Sequence, residues 1–527
     1  MNVVSEPEDD KNLPVSPPTS PAPVWPTSQS DYQRPGIAPQ RRFALTAAQL
    51  AADYPAFDAS DGDLPREKFF RRHRVATLMT SLALVFALLA GGAVIAGYQS
   101  GVASATPAAQ DPSELSRVTP GVADDGTIVR TCTVSTLAAD PTLSRLHALV
   151  ARADTGDVLF TRVADEAVTV GSTFATLTGV AAVAKLGADY QLTTSVVDGP
   201  RAGSIVLVGG GDATLSRLDS SAASVYANAP TLGTLASAAL TAYEAAHPDE
   251  PITEVILDAS YWDTADRWNT SWDRSLQTGG YLSEVTALQL DGDREDPTQQ
   301  VSPRSTDPVD RTGEAFVAAL GLNPDDVTVT DGEASDGALQ LAETKSQPVS
   351  VLVEQMLTQN DGTLAEMLAR VVSVESGLSG SAASLQQAIP RALQTLALDT
   401  TEVKVSDGSG LSRQNAVSAT FLNELMELIS SDESLAPVLS AMPVAGESGA
   451  LADRFTGNNA AAVGSISAVS GAIDGARSLT GMMTAGDGTA ITFSLLVTGD
   501  TVTDDAVASL DTLAASIHGC GNNLSNL

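Results

Sequence analysis

The stretch IVLVGGGDATLS, from Ile205 to Ser216, decides how the middle of this chain is read. Four branched or long apolar residues in a row have the composition of a buried strand. Three glycines follow at once, so the strand must run into a tight turn. A phosphate-binding loop would also follow a strand, but it needs Gly-Lys-Ser/Thr, and no lysine stands after Gly211.

Working outward, LHALVARADTGDVLFTRVAD alternates apolar residues on both sides of Thr155-Gly156, the pattern of a hairpin. A helix of small residues is expected from Ser172 to Leu186, and QLTTSVVD reads as a strand. Downstream come a helix from Thr231 to Ala246 and the strand ITEVILDAS. The last third has the 3.6-residue spacing of core-facing helices over Val349 to Val372 (broken near Asp361-Gly362), Ala382 to Leu398 and Ala419 to Leu428. A final hairpin, SLTGMMTAGDGTAITFSLLVTG, turns at Gly486-Asp487-Gly488, and a closing helix runs from Thr503 to Ile517. Helices and strands share one core with a separate insertion, and no internal repeat is visible.

The N-terminal part is different. Residues 75–97 are apolar and carry no charge, enough helix for a hydrocarbon slab that needs roughly 20 residues. Arg66, Lys68, Arg71, Arg72 and Arg74 crowd its upstream flank, and the next basic residue is Arg117. The positive-inside bias therefore predicts a single-pass anchor in the plasma membrane, with the N-terminus cytoplasmic and the remainder extracellular. A cleaved signal peptide fits poorly, because the apolar run is too long and lies too far from the start. Residues 1–74 form a Pro-rich tail with too little apolar periodicity to fold, and residues 98–131 read as a stalk.

The chain has 64 Asp+Glu against 29 Lys+Arg, a net charge of −35, with the excess beyond residue 100. Such a surface argues against nucleic acid and anionic lipid as partners. Its two cysteines, Cys132 and Cys520, flank the extracellular part and are expected to pair in an oxidising compartment. His147, His247 and His518 are isolated, so no metal is expected. Asp291 and Asp293 in DGDRED fail the calcium-loop pattern at its third acid and read as a solvated acidic loop.

IVLVGGGDATLS, together with DGSGLS (Asp407 to Ser412) and LADRF (Leu451 to Phe455), resembles the D-alanyl-D-alanine carboxypeptidase/endopeptidase family, the class C low-molecular-mass penicillin-binding proteins. The resemblance runs through short matches over residues 140–515. It implies an α/β (α+β) fold: a discontinuous transpeptidase/β-lactamase-like domain over 132–200 and 336–527 with an inserted domain over 201–335, here preceded by the transmembrane helix read from residues 75–97. No cofactor is expected.

Three motifs carry the chemistry of that family. Ser-x-x-Lys puts a lysine one helical turn from the nucleophile, where it can take the hydroxyl proton. Ser-x-Asn relays protons, and Lys-Thr/Ser-Gly on a strand supplies positive charge and a close backbone approach. The resemblance places the nucleophile on Ser172, but the lysine position is Ala175. In MLTQNDGTLAEMLAR the second motif falls on Asn360, Asp361 and Gly362, with Ser replaced by Asn and Asn by Gly. The third falls on Val469, Ser470 and Gly471, with Val in place of Lys. The extracellular part has only Lys185, Lys345 and Lys404, and none completes a motif in any register.

Ser172 without a base is an ordinary alcohol, suited to capping a helix start. The expected function is a carboxypeptidase-like protein of peptidoglycan metabolism that is catalytically inactive, a scaffold holding peptidoglycan stem peptide or cell-wall proteins. The alternatives are an active serine-type D,D-carboxypeptidase using Ser172 with an unrecognised base, and a purely structural domain whose groove has closed.

Overall fold

Two five-stranded sheets organise residues 129–526, the part of the chain that the computed structural model describes. The tail, the apolar run at 75–97 and nearly all of the 98–131 segment lie outside the described residues. Among the described residues no helix is long and apolar enough to cross a membrane.

The first strand, β1 (Cys132–Thr133), is a short edge piece. β2 (Arg145–Arg152) and β3 (Val158–Arg162) make the hairpin expected at Thr155-Gly156, where Gly156 takes φ +72°. After a tight 3₁₀ turn at Gly171–Phe174 comes helix α1 (Ala175–Leu186). Then follow β4 (Thr193–Asp198), β5 (Ser204–Val208), helix α2 (Leu232–Ala246), β6 (Glu254–Asp258), helix α3 (Pro308–Ala319), β7 (Thr328–Asp331) and β8 (Gln340–Lys345). Thr231 caps α2 by accepting from the Thr234 amide, which explains why the helix starts where it does.

The last third supplies α4 (Val349–Gln359), α5 (Gly362–Glu375), α6 (Ala382–Gln394) and α7 (Ala419–Ser431). The chain closes with β9 (Ile466–Ile473), β10 (Ala476–Thr484), β11 (Ala490–Thr498), α8 (Asp505–Cys520) and the two-residue β12 (Leu524–Ser525).

The first sheet has the order β3-β2-β11-β10-β9 and is antiparallel throughout. Alternate side chains of its strands feed two cores. Leu149, Val469 and Leu496 face the packed helices α1, α4, α5, α6 and α7. Leu146, Ala148, Leu479 and Leu495 face α8, with its Leu510, Leu513 and Ile517. A disulfide joins Cys132 to Cys520 (Cα–Cα 5.6 Å), and β1 pairs in parallel with β12 beside it.

The second sheet has the order β7-β6-β5-β4-β8, with β5, β6 and β7 parallel and β4 antiparallel to both neighbours. α2 and α3 cover it and complete a third apolar core. β4 and β8 pair with each other, Thr193 opposite Lys345, so this sheet reaches beyond residues 201 and 335 on both sides. Alternation in TTSVVD marks a strand but not which sheet receives it.

The glycines after β5 lie hard against neighbouring backbone. A Cβ on Gly209 would stand 2.4 Å from the Ala287 carbonyl oxygen, and one on Gly210 would stand 2.2 Å from that of Thr193. DGDRED departs from the solvated loop expected. Asp291 and Asp293 are 1% and 3% exposed, and they pair with Arg217 and Arg311. The reason is long-range: Arg217 and Arg311 are distant in sequence and bring the counter-charges that make burial affordable.

Candidate active-site cleft

Ser172, Ala175, Asn360, Val469 and Ser470 come together in one cleft, completed by Met356, Leu357, Pro443 and Ala450. Four separate parts of the chain thus meet where the three motifs were read.

Ser172 lies in the 3₁₀ turn before α1 and is 8% exposed. It does not cap the helix as expected; Val170 and Phe174 hold the cap positions, and neither gives a side-chain cap bond. The turn is held in place from the sheet instead. Ser478 on β10 donates to the Val170 carbonyl (2.6 Å), and its hydroxyl lies 2.8 Å from that of Thr173. Gly471 makes this contact possible, because a Cβ there would stand 2.0 Å from the Val170 carbonyl oxygen. Ala175, one turn after Ser172, is buried at 6% exposure and offers only a methyl group.

β9 forms the opposite wall and is the edge strand of its sheet. Its amides at Ala468 and its carbonyl at Ile466 turn outward, bonding to Pro443 and Ala445. In a regular antiparallel ladder the same direction recurs every second residue, so Ser470 also presents its N–H and C=O to the cleft. Val469 is 5% exposed and lies opposite Thr480.

Asn360 ends α4 in the left-handed conformation (φ 54°, ψ 47°), which Asn tolerates better than most residues. Its neighbour turns away from the cleft. Asp361 caps α5 by accepting from the Leu364 amide (3.0 Å), and it also accepts from the Tyr226 hydroxyl and Arg294 Nη2, each at 2.8 Å. Arg294 and Asp361 are each 1% exposed. Burial would push the Asp361 carboxyl up, but the Arg294 and Arg304 guanidiniums outweigh it and hold the carboxyl below the usual range. Burial, with Arg294 nearby, lowers Arg304 in turn to about 10. Gly362 opens α5 against Leu411, with no room to spare for a side chain.

Among the described residues no titratable side chain lines the cleft. The Ser172 hydroxyl makes no hydrogen bond among the described residues. About 10 Å³ of the space admits the centre of a water molecule, roughly one water. Met356, Leu357, Pro443 and Ala450 were not singled out from sequence. The helical spacing of α4 and the stretch PVAGESGALADRF were visible, yet nothing local said that they converge on Ser172.

A helix start carrying a serine, facing an edge strand across a narrow cleft, defines the fold of the penicillin-binding serine peptidases. Penicillin-binding protein 4 of Haemophilus influenzae shares it, with a TM-score of 0.60 at 18% identity over 73% of this chain and 98% of that one. The chain belongs to the D-Ala-D-Ala carboxypeptidase 3 (S13) family, which matches residues 131–302 and 288–517. It is 31% identical over 463 residues to carboxypeptidase DacB of Mycolicibacterium smegmatis, a match covering 86% of this chain and 98% of that protein. It is 30% identical over 435 residues to a carboxypeptidase of Mycobacterium tuberculosis, covering 81% and 92%.

Proposed function

We propose that this chain is a membrane-anchored, non-catalytic member of its family that holds peptidoglycan stem peptide or a cell-wall protein. One observation carries the reading: the cleft around Ser172 contains no acid, base or cation, and Ala175 and Val469 occupy the two lysine positions. A serine hydroxyl near its ordinary pKa is a weak nucleophile, and losing its base costs roughly 10⁶ in rate in other serine hydrolases. The open edge at Ser470 still provides backbone donors for an oxyanion. Such donors stabilise charge that develops in a reaction, but they do not start one.

The anchor rests on residues 75–97 and their basic upstream flank. In support, the match to the Mycolicibacterium smegmatis relative covers more than the described residues, so the likeness continues upstream of residue 129 toward that run.

The deciding experiment is covalent labelling of the purified protein by a fluorescent penicillin, with Ser172→Ala as control. The expected result is no labelling of either protein, both shown to be folded by circular dichroism. Stoichiometric labelling that disappears in Ser172→Ala would establish an activated serine and an unrecognised base, and would end the non-catalytic reading.

A further inference from the structure

With room for about one water, the cleft as it stands does not admit a peptide. A larger recess of about 430 Å³ opens between the loop carrying Asn269, the first turn of α6 and the Lys404–Ser406 segment. That volume lies within the usual range of small-ligand sites. Its walls are fixed by side chains that clamp backbone. Gln386 donates to the Val403 carbonyl (3.2 Å) and accepts from the Val405 amide (2.7 Å). Asn269 donates to the Ser406 carbonyl at 2.8 Å.

The lining mixes apolar Ala382, Ala383 and Val405 with the neutral polar side chains of Asn269, Gln386, Ser406 and Gln414, and Lys404 is its one charge among the described residues. Lys404 is exposed and takes part in no ion pair among the described residues. Asp266 approaches the start of α6 but is already engaged, accepting from the Ala382 amide and paired with Arg370. Against the chain's net charge of −35, the recess is a local positive spot, with one unpaired cation and no acid in its lining among the described residues, and such a spot favours an anionic group at Lys404. Gln414 adds a side-chain amide with no partner within the described protein, suited to a peptide group.

We propose that this recess binds a carboxylate-bearing peptide, its carboxylate on Lys404 and its amides on Gln414 and Ser406. The proposal rests on the scaffold reading above and moves its ligand out of the Ser172 cleft.

The test is calorimetric titration of the full-length protein in detergent with N-acetyl-D-alanyl-D-alanine and with its C-terminal amide. Saturable binding of the acid is expected. The amide, and the acid with Lys404→Glu, should each bind about tenfold more weakly, as expected when one partly exposed charge contact is lost or reversed. Lys404 is exposed, so this variant folds, and circular dichroism checks it. Lys345→Glu, which reverses an exposed lysine outside the recess, should leave binding unchanged. Three results overturn the proposal: no saturable binding, binding indifferent to Lys404→Glu, or binding weakened as much by Lys345→Glu as by Lys404→Glu. Penicillin labelling would instead sink the non-catalytic reading and leave the recess untouched, so the two failures are distinguishable.

Discussion

Replacing Asp361 by alanine should destabilise the protein by about 4–6 kcal/mol, although the residue stands in the middle of a motif position of a catalytic family. The figure comes from two contacts. Asp361 caps α5 through the Leu364 amide, and loss of such a cap costs about 1 kcal/mol. It is also the counter-charge of Arg294, which is 1% exposed, and stranding a buried charge costs about 3–5 kcal/mol. Arg304, buried nearby, adds to the strain on any state that lacks the carboxylate. The double variant Asp361→Ala with Arg294→Met removes both charges and should recover most of the second contribution, leaving a loss of about 1–2 kcal/mol. Equilibrium urea unfolding, followed by the fluorescence of buried Trp262 and Trp272, measures all three proteins. A single-variant loss below about 2 kcal/mol, or a double variant worse than the single one, would refute the idea of a desolvated pair at the cleft's edge.

Two further predictions address the neighbouring framework. Burial, reinforced by Asp407, pushes the Glu366 carboxyl up to about 8, while Arg370 and the Gly408 and Ser409 amides favour its charge. Between about pH 4.5 and that value the folded form holds a proton that the unfolded form has lost, so stability falls as pH rises through this window. Glu366→Gln should flatten the urea midpoint across pH 5–9, and a slope equal to that of the unaltered protein would contradict the assignment. Gly471→Ala should cost about 1–3 kcal/mol or more, because its methyl group meets the Val170 carbonyl at 2.0 Å and Ser478 Oγ at 2.5 Å. A melting temperature unchanged by this substitution would show that the Ser172 turn is not seated on β9 as described.

Much of the fold was legible because local periodicity and punctuation agreed. The helix expected from Thr231 forms, the run from Val349 breaks at Asn360, beside the expected Asp361-Gly362, and Gly486 to Gly488 turn the last hairpin. What sequence could not supply was pairing at a distance. TTSVVD looked like any amphipathic strand, and its pairing with β5 and with β8, the latter more than a hundred residues on, places it in the second sheet. Asp361 read as a degenerate catalytic position because Arg294 and Tyr226, which bury it, lie far upstream. The resemblance itself rested on framework. Asp407 accepts from Trp272 and Asn415, Arg454 of LADRF pairs with Asp511, and the glycines of IVLVGGGDATLS have no room for a side chain. These contacts persist whatever happens at Ala175 and Val469, so family likeness and catalytic equipment are separate properties of this chain.

The clasp of Cys132 to Cys520, with β1 lying along β12, also has a mechanical consequence. The chain enters the folded part and leaves it at the same point. A pull between the two ends of the fold is therefore taken up by a covalent bond, not passed through the sheets and helices strung between them. Load applied at residue 131 is returned at residue 520 without crossing β9, α1 or the walls of either cavity.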